Sequence, residues 1–377
     1  MPPVIRSLYE VYPEQIAATL PLGISVDGLL YGISLDGSDP VSGEFPTSAE
    51  EQIRSALRKL VVLLQGAASD VSLIHQLSVT HRCPDFASLF DLAWDEVFPA
   101  KAQPALDQIE GYLPVGCLLR FDCHASLPGS ELSGSSIEAI GVCPGEVSAP
   151  SGVKVGPIVF GRLTAMHPCT GEIQGSSLES QLRQVLENME TFLRNAGTGL
   201  NEIARATLYM NPPDLATMNL VWSALYPDPS DRPPHKWVPV ALPRGRFAVA
   251  DVIAIPGVGS RRVIEIESVH HGDPMTMAAL TGNVVSSSRV IAPRREDPAD
   301  YARQIFDNIE EIMALAGGDI TNLTQLTAFI GQPEYRLLVE HELTQRLPAG
   351  NQRPVVHYVE AHLGGVQAPR IEILGLI

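Results

Sequence analysis

Residues 177–197, SLESQLRQVLENMETFLRNAG, decide the fold, because the chain holds two more segments of the same kind, SAEEQIRSALRKLVVLLQGA at 48–67 and DPADYARQIFDNIEEIMALAGG at 297–318. Each opens with a Ser or Asp able to cap a helix, carries apolar residues at 3–4 spacing, and ends at or beside Ala-Gly or Gly. Three long amphipathic helices at similar intervals raise the question of internal repetition before any other.

The neighbouring segments repeat as well. After each helix comes a polar turn and an apolar stretch that reads as a strand: VSLIHQLSVTH (71–81), EIARATLYMN (202–211) and TNLTQLTAFIG (321–331). A shorter helix follows from Asp85, Asp214 and Pro333, and two closing strands end each unit, the last being RFDCHASL, RFAVADVIAI and RIEILGLI. Subtracting landmarks (Asp85 from Asp214, Asp122 from Asp251) gives a period of about 129, and the third copy is shorter, at about 121. Boundaries are expected in the Gly/Ser/Pro-rich stretches near 127–152 and 255–262, giving copies at 1–130, 131–258 and 259–377. Strands mixed with two helices per copy point to an α+β class, each sheet carrying its helices on one face.

The chain has 377 residues, 45% apolar and 18% charged, and no apolar run long enough for a membrane span. With 26 Lys and Arg against 43 Asp and Glu the net charge is −17, which removes the main attraction for nucleic acid or an anionic membrane. The acidic, proline-bearing start MPPVIRSLYEVYPEQ lacks the basic start and continuous apolar stretch of a signal peptide. Five cysteines without a CxxC pair suggest neither a disulfide framework nor zinc, so a cytoplasmic setting is expected.

The second copy reads TGEIQG (170–175), a helix ending NAG, DLATMNLVW, HKWVPVALP and VADVIAI. This succession resembles the RidA (YjgF-type) enamine/imine deaminase family, and the other two copies connect to it mainly through their parallel with the second. The resemblance implies tandem chorismate mutase-like units arranged as an intramolecular pseudo-trimer, with ligand pockets between neighbouring units. It implies a cofactor-independent reaction in which a cation holds a substrate carboxylate and an acid positions water or moves a proton. A chorismatase-like hydrolase or lyase, or a non-catalytic ligand-binding scaffold, are the alternatives. No metal is expected: the adjacent His270 and His271 would point to opposite faces of a strand.

At the family's carboxylate-binding Arg this chain has His235, with Lys236 beside it, then Leu106 and Val356 in the other copies. Asn219 keeps the Asn of the second helix. The acid of the last strand aligns with Asp122 and Asp251, and by spacing with Leu374 in the third copy. Asp251 and Asp122 are therefore the expected catalytic acids. Arg120 lies two residues from Asp122 on the same face of a strand, as Arg370 does from Glu372. Arg120, His235, Lys236, Asn219, Arg162, Arg289 and Glu372 are the expected substrate-binding groups. A small-molecule substrate is expected, with the chain monomeric or a low-order homo-oligomer.

Overall fold

The computed structural model describes residues 5–8, 23–26, 28–39, 42–99, 101, 103–110, 113–130, 134–137, 152–167, 170–240, 242, 244–272, 274–293, 297–348, 353–360 and 369–377. Cys143, Cys169, His362 and most of the expected first boundary (127–152) lie outside the described residues. The chain divides into two compact units. Unit 1 is Met1–Gly134 with Thr324–Gln367, and unit 2 is Ser135–Leu323 with Ala368–Ile377.

The strands form three six-stranded sheets, each from one successive part of the chain. The first contains β1 (Ile5–Leu8), β2 (Gly23–Val26), β3 (Leu29–Asp36), β4 (Ile74–His81), β5 (Ala105–Glu110) and β6 (Leu119–Ser126). The second contains β7 (Gly134–Ile137), β8 (Gly152–Val155), β9 (Ile158–Thr164), β10 (Ile203–Met210), β11 (His235–Pro239) and β12 (Ala248–Ala254). The third contains β13 (Arg261–Ile264), β14 (Ala278–Thr281), β15 (Val284–Ser287), β16 (Leu323–Ile330), β17 (Val355–Glu360) and β18 (Arg370–Leu376). The orders are β1-β2-β3-β6-β4-β5, β7-β8-β9-β12-β10-β11 and β13-β14-β15-β18-β16-β17, one topology written three times. In each sheet one pair is parallel (β4 with β5, β10 with β11, β16 with β17), so the sheets are mixed as expected.

The helices are α1 (Ala49–Gly66), α2 (Phe86–Val97), α3 (Leu178–Asn195), α4 (Leu215–Leu225), α5 (Pro298–Ala316) and α6 (Tyr335–Arg346). Their starts follow the sequence signals. Ser48 and Ser177 accept from backbone N–H groups of the first turn, Asp297 does the same beside Pro298, and Gly317 closes α5 in the left-handed region at φ 103°. One reading shifts: residues 71–73, 200–202 and 320–322 do not join the following strands but form single 3₁₀ turns. Asp70 and Asp319 cap two of these through N–H groups two residues on, a local bond that competes with extended backbone.

In unit 2, α3 buries Leu182, Val185, Leu186, Met189, Phe192 and Leu193 against Ala248, Ala250, Val252 and Ala254 of β12. Alternation along the strand leaves Asp251 on the face away from the helices. Phe192 lies directly over Gly161 of β9, where a Cβ would overlap its ring. Gly161→Val is expected to cost about 1–3 kcal/mol by overpacking, read as a lower urea midpoint with an unchanged slope. In unit 1 the same place is taken by Gly32 beneath Leu63 of α1.

The long helices also differ in one telling position. Asn188 donates to the carbonyls of Thr164 and Met166, and Asn308 to that of Ile291, so each fixes the chain leaving its first three-stranded ribbon. Lys59 stands at the corresponding place in the first copy. Its Nζ reaches Asp36 Oδ1 at 2.6 Å and Ser38 Oγ at 2.7 Å, so an ion pair replaces an amide clamp.

Candidate functional site

The functional groups sit on the helix-free faces of the strands. On β10, Ala206, Leu208 and Met210 enter the core under the helices, so Thr207 and Tyr209 point the other way, and Arg205 joins them after the register shift. On β11 the same alternation separates two residues that the sequence grouped together. His235 lies fully buried against Trp222 of α4, with ring centroids 4.3 Å apart, and burial pushes its pKa down to about 3. Lys236 takes the opposite face.

Pairing registers correct the alignment of the third copy. Leu374 is opposite Ser286 on β15, which sets Glu372 opposite the residue after Ser287; Ile373 confirms the register by donating to Ser287 Oγ at 3.0 Å. Asp251 is opposite Arg162, the residue after Gly161. The residue at the place of Asp122 and Asp251 is therefore Glu372, not Leu374, and an acid stands there in all three copies.

Lys236 Nζ contacts Glu372 Oε2, and Arg289 Nε lies 3.9 Å from Glu372 Oε1. Arg289 is fixed from its other end, donating through Nη2 to the Trp237 carbonyl at 2.6 Å with its guanidinium 5.6 Å from the centre of the Trp237 ring. Glu372 has no exposed surface. Arg205 is 8% exposed with a buried Nη1 that lacks a hydrogen-bond partner, and it is near enough to act on Lys236. Arg370 acts in the same way on Arg289 and on the half-buried His271.

Charge follows from this crowding. Burial pushes the Lys236 ammonium down to about 8; Glu372 opposes that shift, and Arg205 and Arg289 add to it. Burial also pushes Arg289 down, against Glu372 and with Arg370. Two cations, Lys236 and Arg289, meet one carboxylate, with Arg205 near the first and Arg370 near the second, an excess of positive charge suited to receiving a further small anion.

The other expected residues fall into two groups. In the second copy, Arg162 grips Asp251 with two bonds, Nε to Oδ1 at 2.6 Å and Nη2 to Oδ2 at 2.7 Å, while Tyr209 donates to Oδ2 at 2.9 Å. In unit 1, Asp122 accepts the Ser34 N–H at 2.8 Å, and Arg120 donates to the Tyr358 carbonyl at 3.5 Å. The register that places Lys236 beside Thr207 places His357 beside Thr327. Asn219 is half-buried on α4 with its Oδ1 lacking a hydrogen-bond partner. Sequence reasoning missed Arg205 and Tyr209. An Arg inside the apolar strand EIARATLYM was the available signal, since a charge at such a place needs a partner.

Among the described residues no group of three or more His, Cys, Asp or Glu side chains is placed to hold a metal ion, and no helix is long and apolar enough to cross a membrane. Cys83, Cys117 and Cys123 are buried free thiols, and burial pushes that of Cys117 up to about 12, which leaves it a poor nucleophile.

Comparison with known proteins places this architecture. The family model described as Endoribonuclease L-PSP matches residues 151–250. A RutC family protein of Sinorhizobium fredii is 33% identical over 90 residues, covering 23% of this chain and 71% of that protein. The chain belongs to the RutC family, the RidA/YjgF group. A RutC family protein of Pyrococcus abyssi is 35% identical over 77 residues, 20% of this chain, and the chain spans 60% of that relative's length. A solved member of the YjgF/YER057c/UK114 family from Mycobacterium tuberculosis aligns with 33% of this chain and 99% of its own at 22% identity and a TM-score of 0.26. The family model falls on the second of three sheets that share one strand order, so the chain repeats RidA-like units in one α+β fold.

Proposed function

We propose that this RidA-family chain acts without a cofactor on a small anionic metabolite bearing an imine or carbonyl carbon, and that the cluster of Lys236, Arg289 and Glu372 is its site. The observation that carries the reading is the convergence of two buried cations, Lys236 and Arg289, on a single fully buried acid. Arg289, with Arg370 beside it, holds the substrate carboxylate in place of the family's Arg. Glu372 takes a proton from the attacking water and returns one to the departing nitrogen, with Lys236 as its relay. Asp251 and Asp122 are the equivalent acids of the other copies, the first already gripped by Arg162 and the second by the Ser34 amide.

The test is ammonia release from 2-iminopropionate generated in situ. The intact chain should accelerate it over buffer, and Arg289→Leu should raise KM more than it lowers kcat, because that residue binds the carboxylate in both ground and transition states. No acceleration by the intact chain rejects the deaminase reading.

A second reading, a ligand-binding chain without turnover, draws support from His235. The residue at the family's Arg position is packed against Trp222, its ring tilted by 30°, and takes the strand face opposite Glu372's partner Lys236, so the usual anchor is missing. Saturable binding of pyruvate with no ammonia release would select it.

A further inference from the structure

We infer that Lys236 is a nucleophilic amine that forms an imine with the carbonyl carbon of a small 2-oxo acid. The inference rests on the reading of the cluster as a site for anionic carbonyl or imine compounds, and adds a covalent step that imine hydrolysis does not require.

Three features of the geometry lead to it. Lys236 is the only cation of the cluster that can become a neutral nucleophile, because a guanidinium keeps its proton. It is surrounded by like charge, with Arg205 and Arg289 both close enough to disfavour its ammonium form, the arrangement known to activate an amine for attack on a carbonyl. It also touches a group able to take and return its proton, Glu372, while its side chain keeps 10% exposure on β11, which is an edge strand of its sheet.

The shared acid selects the substrate class. Lys236 and Arg289 approach different oxygens of one carboxylate, so nucleophile and anchor both border Glu372. A small acid whose carboxylate meets Arg289 while its carbonyl meets Lys236 answers to both, and the 2-oxo acids, with the two groups on adjacent carbons, are the smallest of that kind.

The step balances without an added reagent. Glu372 accepts a proton from the Lys236 ammonium, and the amine nitrogen attacks the carbonyl carbon. The carbonyl π electrons go to oxygen, which takes that proton to give a carbinolamine. A second proton shift from nitrogen to the hydroxyl through Glu372 expels water and leaves the imine. One C–N double bond replaces one C–O double bond, one water is released, and nothing is oxidised or reduced.

The experiment is reductive trapping of the full chain with pyruvate and sodium borohydride, followed by peptide mass spectrometry, with pyruvate binding measured in parallel by calorimetry. Expected is one reduced pyruvate on the Lys236 peptide, several-fold above the exposed Lys101. The yield should rise as pH climbs past about 8, where the amine is uncharged. Acetone, which lacks the carboxylate, should label poorly, and Lys236→Arg, which keeps the charge beside Glu372, should abolish the adduct. Pyruvate binding or ammonia release without a Lys236 adduct overturns this inference and leaves the proposed function standing. Equal labelling of Lys101 and Lys236 also overturns it. Absence of pyruvate binding, ammonia release and adduct together rejects both.

Discussion

Glu372→Gln is expected to lower ammonia release by roughly 10²–10⁴-fold, the usual worth of a positioned proton-transfer group, and to destabilise unit 2 at the same time. The carboxylate is the acid that Lys236 and Arg289 share in a site with no exposed surface at Glu372. Removing one partner of a buried ion pair leaves the other charge uncompensated, at a cost of about 3–5 kcal/mol. Lys236→Met should cost less, because Glu372 keeps Arg289 at 3.9 Å. In the double variant Glu372→Gln/Lys236→Met, much of the stability loss should return while activity does not. Urea unfolding of the three variants followed by tryptophan fluorescence separates the two effects. Equal stability of all four proteins would mean that the cluster is hydrated and not a desolvated site.

The threefold pattern was legible because its signals are long. Helices of 18–19 residues carry several turns of apolar spacing, and their caps and closing glycines mark the ends. The mixed sheets with helices on one face followed from the same repetition. The acid of the third copy was harder to place. Glu372 and Leu374 are two residues apart and share a face, so alternation accepts either, and only the bond pattern with β15 separates them. Lys236 and His235 present the opposite case. Adjacent positions on a strand point to opposite faces, so alternation alone tells the site-facing residue from the one packed on Trp222, once the helix side is known. What no periodicity conveys is which cation approaches which acid. Lys236 and Glu372 are 136 residues apart in sequence, and their contact is set by the pairing of sheets, not by any local signal.

Arg261→Ala is expected to be the most damaging substitution for unit 2 outside the site. Arg261 opens β13 with a side chain that has no exposed surface. Its guanidinium donates to Asp231 Oδ1 at 2.9 Å, to the Ile203 carbonyl at 2.7 Å and to the Leu200 carbonyl at 2.6 Å, and lies 5.3 Å from the centre of the Tyr226 ring. These acceptors belong to the 3₁₀ turn at 200–202, to the start of β10 and to the turn at 229–231, so one side chain ties the first strand of the third copy to three pieces of the second. Truncation removes the guanidinium donor to both carbonyls, although Leu200 keeps its bond from the Tyr226 hydroxyl at 3.2 Å, and it removes the packing on Tyr226, at a combined cost of about 3–5 kcal/mol. Arg261→Lys should recover only part of this, because a single ammonium cannot spread over three acceptors as a planar fork does. If the second copy and the part of the third that belongs to unit 2 unfold as one body, the urea transition of Arg261→Ala moves as a whole, with faster amide exchange at both Ile203 and Val263. Faster exchange confined to β13, with β10 unchanged, would show that the two copies open separately and that Arg261 is a local clasp.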